Sequence, residues 1–194
     1  MTPEHQPDPR PRRFRSAARV VVVSPGEREP EVLLMQDSDP GVPDVHWWVT
    51  PGGGIDPGEG PTEAALREVA EETGHAADPR DLLGPVGHRV ARHGYSDRVL
   101  EQEEWFFVLA APRFRVSTEG HTEREQRTML GSQWWPLSAL ARTDEWVWPA
   151  ELLELVAVAD RPAEWPLELG LVDAESTVPV RPDAAPPAQD AATG

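Results

Sequence analysis

Between residues 16 and 160 the apolar positions fall in short runs that alternate between strand and helix character, with no internal repeat. Ala18 to Val23 is β-branched and reads as a buried strand, and after the Ser24-Pro25-Gly26 turn Glu31 to Met35 reads as its neighbour. Val45 to Thr50 is a third short strand, stopped by Pro51 and the glycines that follow. Pro61 to Thr73 has helical spacing, Val86 to Arg92 and Val99 to Ala110 are strand-like again, and Gln133 to Trp135 is a short strand. Leu137 to Ala141 and Ala150 to Ala159 read as helices. Mixed strands and helices joined by short connections predict an α/β sandwich about a mixed β-sheet.

Outside this core the pattern fades. Residues 1–15 are rich in Pro, Arg and Asp and predict a disordered arm; residues 161–194 predict an extension that is mostly a disordered Pro/Ala-rich tail, most clearly from Asp173 onward. One domain is expected from 194 residues. The cation count is 18 against 34 acidic residues, a formal charge of −16, which disfavours nucleic acid and anionic lipid as partners. All 18 cations are Arg; Lys, Asn and Cys are absent. Schiff-base lysines, a Walker lysine, thiolate nucleophiles and cysteine-ligated metals are thereby excluded. No apolar run approaches membrane-spanning length and no signal-peptide core is visible, so a cytoplasmic protein is the expectation, with a homodimer left open.

The segment from Pro51 to Ala76 concentrates the candidate chemistry. Its helix has Gly60 at the N-cap position, Pro61 at the first helical position, Glu63 at the positive end and Gly74 at the stop. Leu66, Val69, Ala70 and Thr73 predict one buried stripe; Glu68, Glu71 and Glu72 predict an acidic stripe nearly opposite, free to face a cleft. Three like charges on one face repel and call for a cation. Arg67, paired with Glu63 or Glu71 on a salt-bridged surface helix, is one answer; a hard divalent cation is the other, since Mg²⁺ and Mn²⁺ select oxygen ligands. Gly52, Gly53 and Gly54 favour the second, because a plain turn needs fewer glycines than a loop that must admit a ligand close to its backbone.

From Gly53 to His75 the chain resembles the Nudix box, G-x5-E-x7-R-E-U-x-E-E-x-G-U, with U bulky and aliphatic. Gly53, Glu59, Arg67, Glu68, Val69, Glu71, Glu72 and Gly74 all fit, and only His75 departs, standing where an aliphatic residue is usual. His75 is expected to cap or flank the helix end. The resemblance to the Nudix (MutT-like) family implies its α/β/α sandwich over residues 16–160. It also implies hydrolysis of a nucleoside diphosphate linked to another moiety, such as a nucleoside triphosphate or a nucleotide sugar, with Mg²⁺ or Mn²⁺. It assigns Glu68, Glu71, Glu72 and the Gly52 carbonyl to the metal, and Arg67 and Glu59 to a charge pair that holds loop and helix in register. Glu72 is the first choice of general base. Glu123 and Glu125 are downstream candidates, with Glu103 and Glu104 as competitors and a solvated acidic loop as the plain alternative.

For the substrate, Arg19, Arg92 and Trp48 are the leading contacts, with Arg89 and Arg98 as further phosphate candidates and Trp47, Trp105, Trp134 and Trp135 as further stacking surfaces; salt bridges and core packing are the competing roles. A small nucleotide-type diphosphate is the expected partner, and the substrate subclass is open. A non-catalytic Nudix-fold nucleotide sensor or interaction module is the rival from another class, disfavoured because every glutamate of the box is present.

Overall fold

The computed structural model describes residues 8–181. Its strands are β1 (Arg12–Ser24), β2 (Glu31–Ser38), β3 (His46–Val49), β4 (Gly52–Gly54), β5 (Leu82–Gly94), β6 (Val99–Ala110), β7 (Gly131–Pro136), β8 (Val147–Trp148) and β9 (Leu167–Val172). The helices are α1 (Pro61–Thr73), α2 (Glu125–Thr128), α3 (Leu137–Leu140) and α4 (Leu152–Val158). One mixed sheet runs in the order β8-β3-β2-β1-β6-β5-β9, with β4 added to β1 and β7 to β2. The central pair β1–β6 is parallel, while β5–β6 and β2–β3 are antiparallel.

Side chains alternate across the pleat and build a core on each face of the sheet. Ala18, Val20 and Val22 of β1 join Phe107 and Leu109 of β6 beneath Ala64, Ala65 and Val69 of α1. Val21, with Phe106 and Val108, meets Leu152, Leu155 and Val158 of α4 on the opposite face. The result is an α/β/α sandwich, and it suspends α1 over β1 and β4, where the candidate chemistry lies.

Both ends of the domain reach further than composition suggested. Arg12–Arg15, placed by composition in a disordered arm, form the start of β1 and pair with Val99–Gln102 of β6. Arg12 Nη1 donates to Glu101 Oε1 at 2.7 Å. A central partner strand supplies ladder bonds that outweigh the local polarity. The extension begun at residue 161 contains β9, parallel to β5, and a placed segment after it. There Glu175 is buried; it receives Arg89 Nη1 at 2.9 Å and Nη2 at 2.6 Å, and its own carbonyl bonds His93 Nδ1 at 2.8 Å. Arg10 Nη1 in turn donates to the Tyr95 and Val178 carbonyls, joining the two ends. The remainder of both expected tails, residues 1–7 and 182–194, lies outside the described residues.

Arg89 is the hinge of this arrangement. Its side chain is 1 % exposed and donates to Glu104, 2 % exposed, at 2.6 Å, with Glu151 and Glu175 completing the shell. Burial would raise the Glu104 pKa, but Arg89 and Arg19 pull it down to about 2. A depressed carboxyl pKa contributes stability that is full above its ordinary 4.5 and is lost as pH falls toward about 2. The Glu104 contribution is therefore complete at neutral pH, and its loss is expected to lower the urea midpoint as pH falls below about 4.5. Arg89→Met, which strands buried carboxylates, costs on the order of 3–5 kcal/mol.

Candidate active site

The glycines between β3 and α1 answer to steric demands. Gly52 has φ 135°, and a Cβ there would stand 2.2 Å from the Ala18 carbonyl oxygen; at Gly53 it would stand 2.7 Å from the Glu68 carboxylate. β4 thus lies against Ala17–Arg19 of β1 on one side and receives the carboxylates of α1 on the other. Gly60 opens the helix, its N–H held by Glu63 Oε2 at 2.8 Å, and Gly74 closes it at φ 74°.

The helix turns differently from its apolar pattern. Its buried arc is Ala64, Ala65, Glu68, Val69, Glu72 and Thr73; Leu66 is half-buried and Ala70 exposed. The acidic residues are therefore split: Glu68 and Glu72 lie within the buried arc rather than opposite it, and Glu71 is exposed. Small alanines at 64 and 65 bring the helix close to the sheet, and that close approach carries Glu68 and Glu72 inward.

Arg67 gathers the outer rim. It donates from Nε to Glu59 Oε1 at 2.9 Å and from Nη2 to Glu59 Oε2 at 2.8 Å. Its Nη1 reaches Glu68 Oε1 at 2.7 Å and Glu71 Oε2 at 3.1 Å, and Nη2 also reaches the Gly54 carbonyl at 2.8 Å. Nε and Nη2 tie loop to helix while Nη1 holds Glu68 and Glu71 within α1, and the Glu59 carboxyl is held down to about 2, chiefly by its bonds from Arg67. Glu72 lies deeper. Its Oε2 accepts from Gly52 N–H at 2.8 Å, yet burial pushes its pKa up to about 8. Burial raises Glu68 as well. Arg19 Nη1 donates to the Gly52 carbonyl at 2.7 Å, and Nε reaches Glu104 at 3.3 Å. Burial opposes its charge, but Glu104 and Glu72 raise its pKa.

These groups face a cavity of about 320 Å³. Arg19, Gly52, Glu68, Glu72 and Glu125 all line it. Glu125 is brought there by the loop before α2, which is pinned to α1 by Ser117 N–H on the Thr73 carbonyl and by His121 Nε2 against the Glu72 carbonyl, both at 2.9 Å. Glu123, in the same loop, points to solvent and does not line the cavity. Of the competitors, Glu104 lines the cavity but is consumed by Arg89 and Arg19, and Glu103 bonds Ser16 at 3.0 Å.

Two expected substrate contacts are displaced by strand alternation. Trp48 packs edge-on against Trp135 in the α4-side core, and its neighbour Trp47, stacked on Trp148 at 4.6 Å, lines the cavity instead. Arg92 reaches Glu101 at 3.3 Å on the face of β5 away from the cavity, which Arg89 and His93 line. Arg89 itself is locked in its carboxylate shell. Arg15, Tyr95 and Arg124 also line the cavity and were not singled out from sequence, Arg15 because it fell within the supposed arm. His75 flanks the helix end as expected, stacked on Phe114 at 4.2 Å.

The donor set fits a hard divalent cation. Glu68 and Glu72 offer only oxygen, burial disfavours their bare charge, and a bound cation would relieve it. Among the described residues no three carboxylate or imidazole groups converge on one metal position, since Arg67 holds Glu71 outside. Such a site suits a cation that keeps water or phosphate oxygens in most positions. The Gly52 carbonyl, although bonded to Arg19, retains a second lone pair. Because a raised carboxyl pKa makes the folded state favour the proton, Glu72 costs stability progressively as pH rises from 4.5 to about 8. Glu72→Gln is therefore expected to stabilise the metal-free protein at pH 8, on the order of 1–3 kcal/mol by urea denaturation, with little effect near pH 5.

The chain is similar to several known proteins. An RNA pyrophosphohydrolase of Erythrobacter litoralis is 40% identical over 78 residues, covering 40% of this chain and 44% of its own. Diphosphoinositol polyphosphate phosphohydrolase 2 of Rattus norvegicus is 34% identical over 122 residues, covering 54% and 66%. The chain thus spans less than two thirds of these relatives' length. Among solved structures, the NUDIX domain of Shewanella oneidensis NrtR complexed with ADP ribose superposes with a TM-score of 0.54 at 17% identity, over 76% of this chain and 87% of that one, a likeness of fold. The NUDIX domain profile matches residues 13–156, from the start of β1 into α4, and the chain belongs to the NUDIX domain family.

Proposed function

We propose that the protein is a divalent-cation-dependent hydrolase that cleaves the pyrophosphate linkage of a nucleoside diphosphate joined to another moiety, using Mg²⁺ or Mn²⁺. The observation that carries the reading is the pairing of two inward carboxylates, Glu68 and Glu72, with a glycine-lined cleft that Arg15, Arg19 and Arg124 also line. The names of the two curated relatives, a pyrophosphohydrolase and a phosphohydrolase, point to the same bond type.

Glu68, Glu72 and the Gly52 carbonyl would hold the cation, with Glu71 reachable once Arg67 releases it and Glu125 available from across the cleft. When bound, the cation neutralises phosphate oxygens and lowers the pKa of a water. Glu72, held in place by the Gly52 amide, would be the proton acceptor for the attacking water. Arg67 is a positioning residue that fixes Glu68 and, through Glu59, the approach of the loop. Arg19 keeps the Gly52 carbonyl turned to the cleft and places positive charge beside the phosphates. No described helix is long and apolar enough to cross a membrane.

Glu72→Gln is expected to lower kcat by about 100-fold or more with unchanged circular dichroism. Dialysis against a chelator should abolish turnover of ADP-ribose, nucleoside triphosphates and dinucleoside polyphosphates, and added Mg²⁺ or Mn²⁺ should restore it. Full activity of the variant, or of the metal-free protein, contradicts the reading.

A further inference from the structure

A second compartment opens beside the cleft, between the start of β1, the β2–β3 turn, the β5–β6 turn and α2. It has a volume of about 860 Å³ and meets the first at Arg15, Tyr95 and Arg124. Five arginines line it, residues Arg13, Arg15, Arg98, Arg124 and Arg127, against Asp37, Asp39 and Asp97. That excess of cations reverses the balance of a chain with 18 basic and 34 acidic residues.

The aspartates are already engaged. Asp39 accepts from Ser96 N–H at 2.7 Å and Thr177 Oγ1 at 2.6 Å, Asp97 pairs with Arg98 at 2.7 Å, and burial raises the Asp37 pKa toward its neutral form. Among the described residues the side chains of Arg13, Arg124 and Arg127 have no hydrogen-bond or ion-pair partner. A single exposed arginine needs none, but here several converge on one concavity continuous with the catalytic cleft. Arg98 is stacked over the Tyr95 ring at 4.5 Å, which orders its planar face. Arg15, accepted only by the neutral Gln102 amide, has its pKa lowered to about 10 by burial and by neighbouring Arg19.

We propose that this compartment binds a further phosphate-rich group of the substrate, lying beyond the anhydride that is cleaved at α1. Guanidinium forks match phosphate oxygens bidentately, and five of them exceed what one monoanion needs. The ligand chemistry is a linear polyphosphate or a cluster of phosphomonoesters. A neutral sugar at this end would leave the arginines unused. The assignment of the distal group rests on the hydrolase reading; binding of phosphate by the compartment does not.

The test is titration calorimetry of the full chain, freed of metal by dialysis, with inorganic tripolyphosphate. Wild type is expected to bind, and the triple variant R13Q/R98Q/R127Q to bind about tenfold more weakly or worse. The charge-matched variant R80Q/R113Q/R161Q, altered outside the compartment, should bind as wild type. If Arg98→Gln disturbs Tyr95, as thermal melting would reveal, R13Q/R127Q carries the same expectation. Absence of tripolyphosphate binding, or equal weakening in the two triple variants, overturns the proposal. Displacement by diadenosine tetraphosphate identifies a linear chain, and displacement by inositol hexakisphosphate a phosphorylated ring; displacement by neither also overturns it. Glu72→Gln should bind like wild type, so a failed hydrolase reading would show as lost turnover with binding intact.

Discussion

The structure depends on the burial of the Glu72 carboxylate. Its Oε2 accepts the Gly52 amide, and it sits at a depth that the small residues at 64 and 65 allow. The same depth raises its pKa to about 8, so the metal-free protein holds this group under electrostatic stress. A buried carboxyl with one amide partner is a costly feature of a fold, and it persists where a ligand later balances it. Arg19 cannot balance it alone, because its guanidinium is divided between the Gly52 carbonyl and Glu104.

Arginine is the cation throughout, and geometry separates its roles. Arg67 and Arg89 are saturated, each surrounded by carboxylates, and act as rivets: one joins loop to helix, the other joins β5 and β6 to the segment after β9. Arg19 is partly engaged and faces the cleft. Arg13, Arg124 and Arg127 are uncommitted and line the adjoining compartment. A surface with a formal charge of −16 repels an anionic substrate at long range, and these arginines lining the cleft and compartment, together with a divalent cation, reverse the sign locally.

Much of this was legible in the sequence where chemistry demands fixed spacing. Gly53, Glu59, Arg67, Glu68, Glu72 and Gly74 act over one loop and one helix, so their separation along the chain encodes their geometry. The mixed sheet, too, follows from local patterns in β1, β2 and β6. What could not be read depends on partners distant in sequence. Arg12–Arg15 look like a solvated arm until β6 pairs with them, and Trp47 is told from Trp48 only by knowing which sheet face meets the cleft. Arg89 looked available for phosphate because its three carboxylates lie 15, 62 and 86 residues away. Glu71 matched the acidic stripe by spacing, but the rotation of α1 is set by packing on the sheet and turns it outward.

The central claim is that Glu68 and Glu72 are held inward to receive a divalent cation. Titration calorimetry of the metal-free protein with Mn²⁺ tests it most directly. The account predicts saturable binding in the wild type that weakens by about tenfold or more in Glu72→Gln and in Glu68→Gln. Binding of equal strength in all three proteins, or none in the wild type, would contradict it.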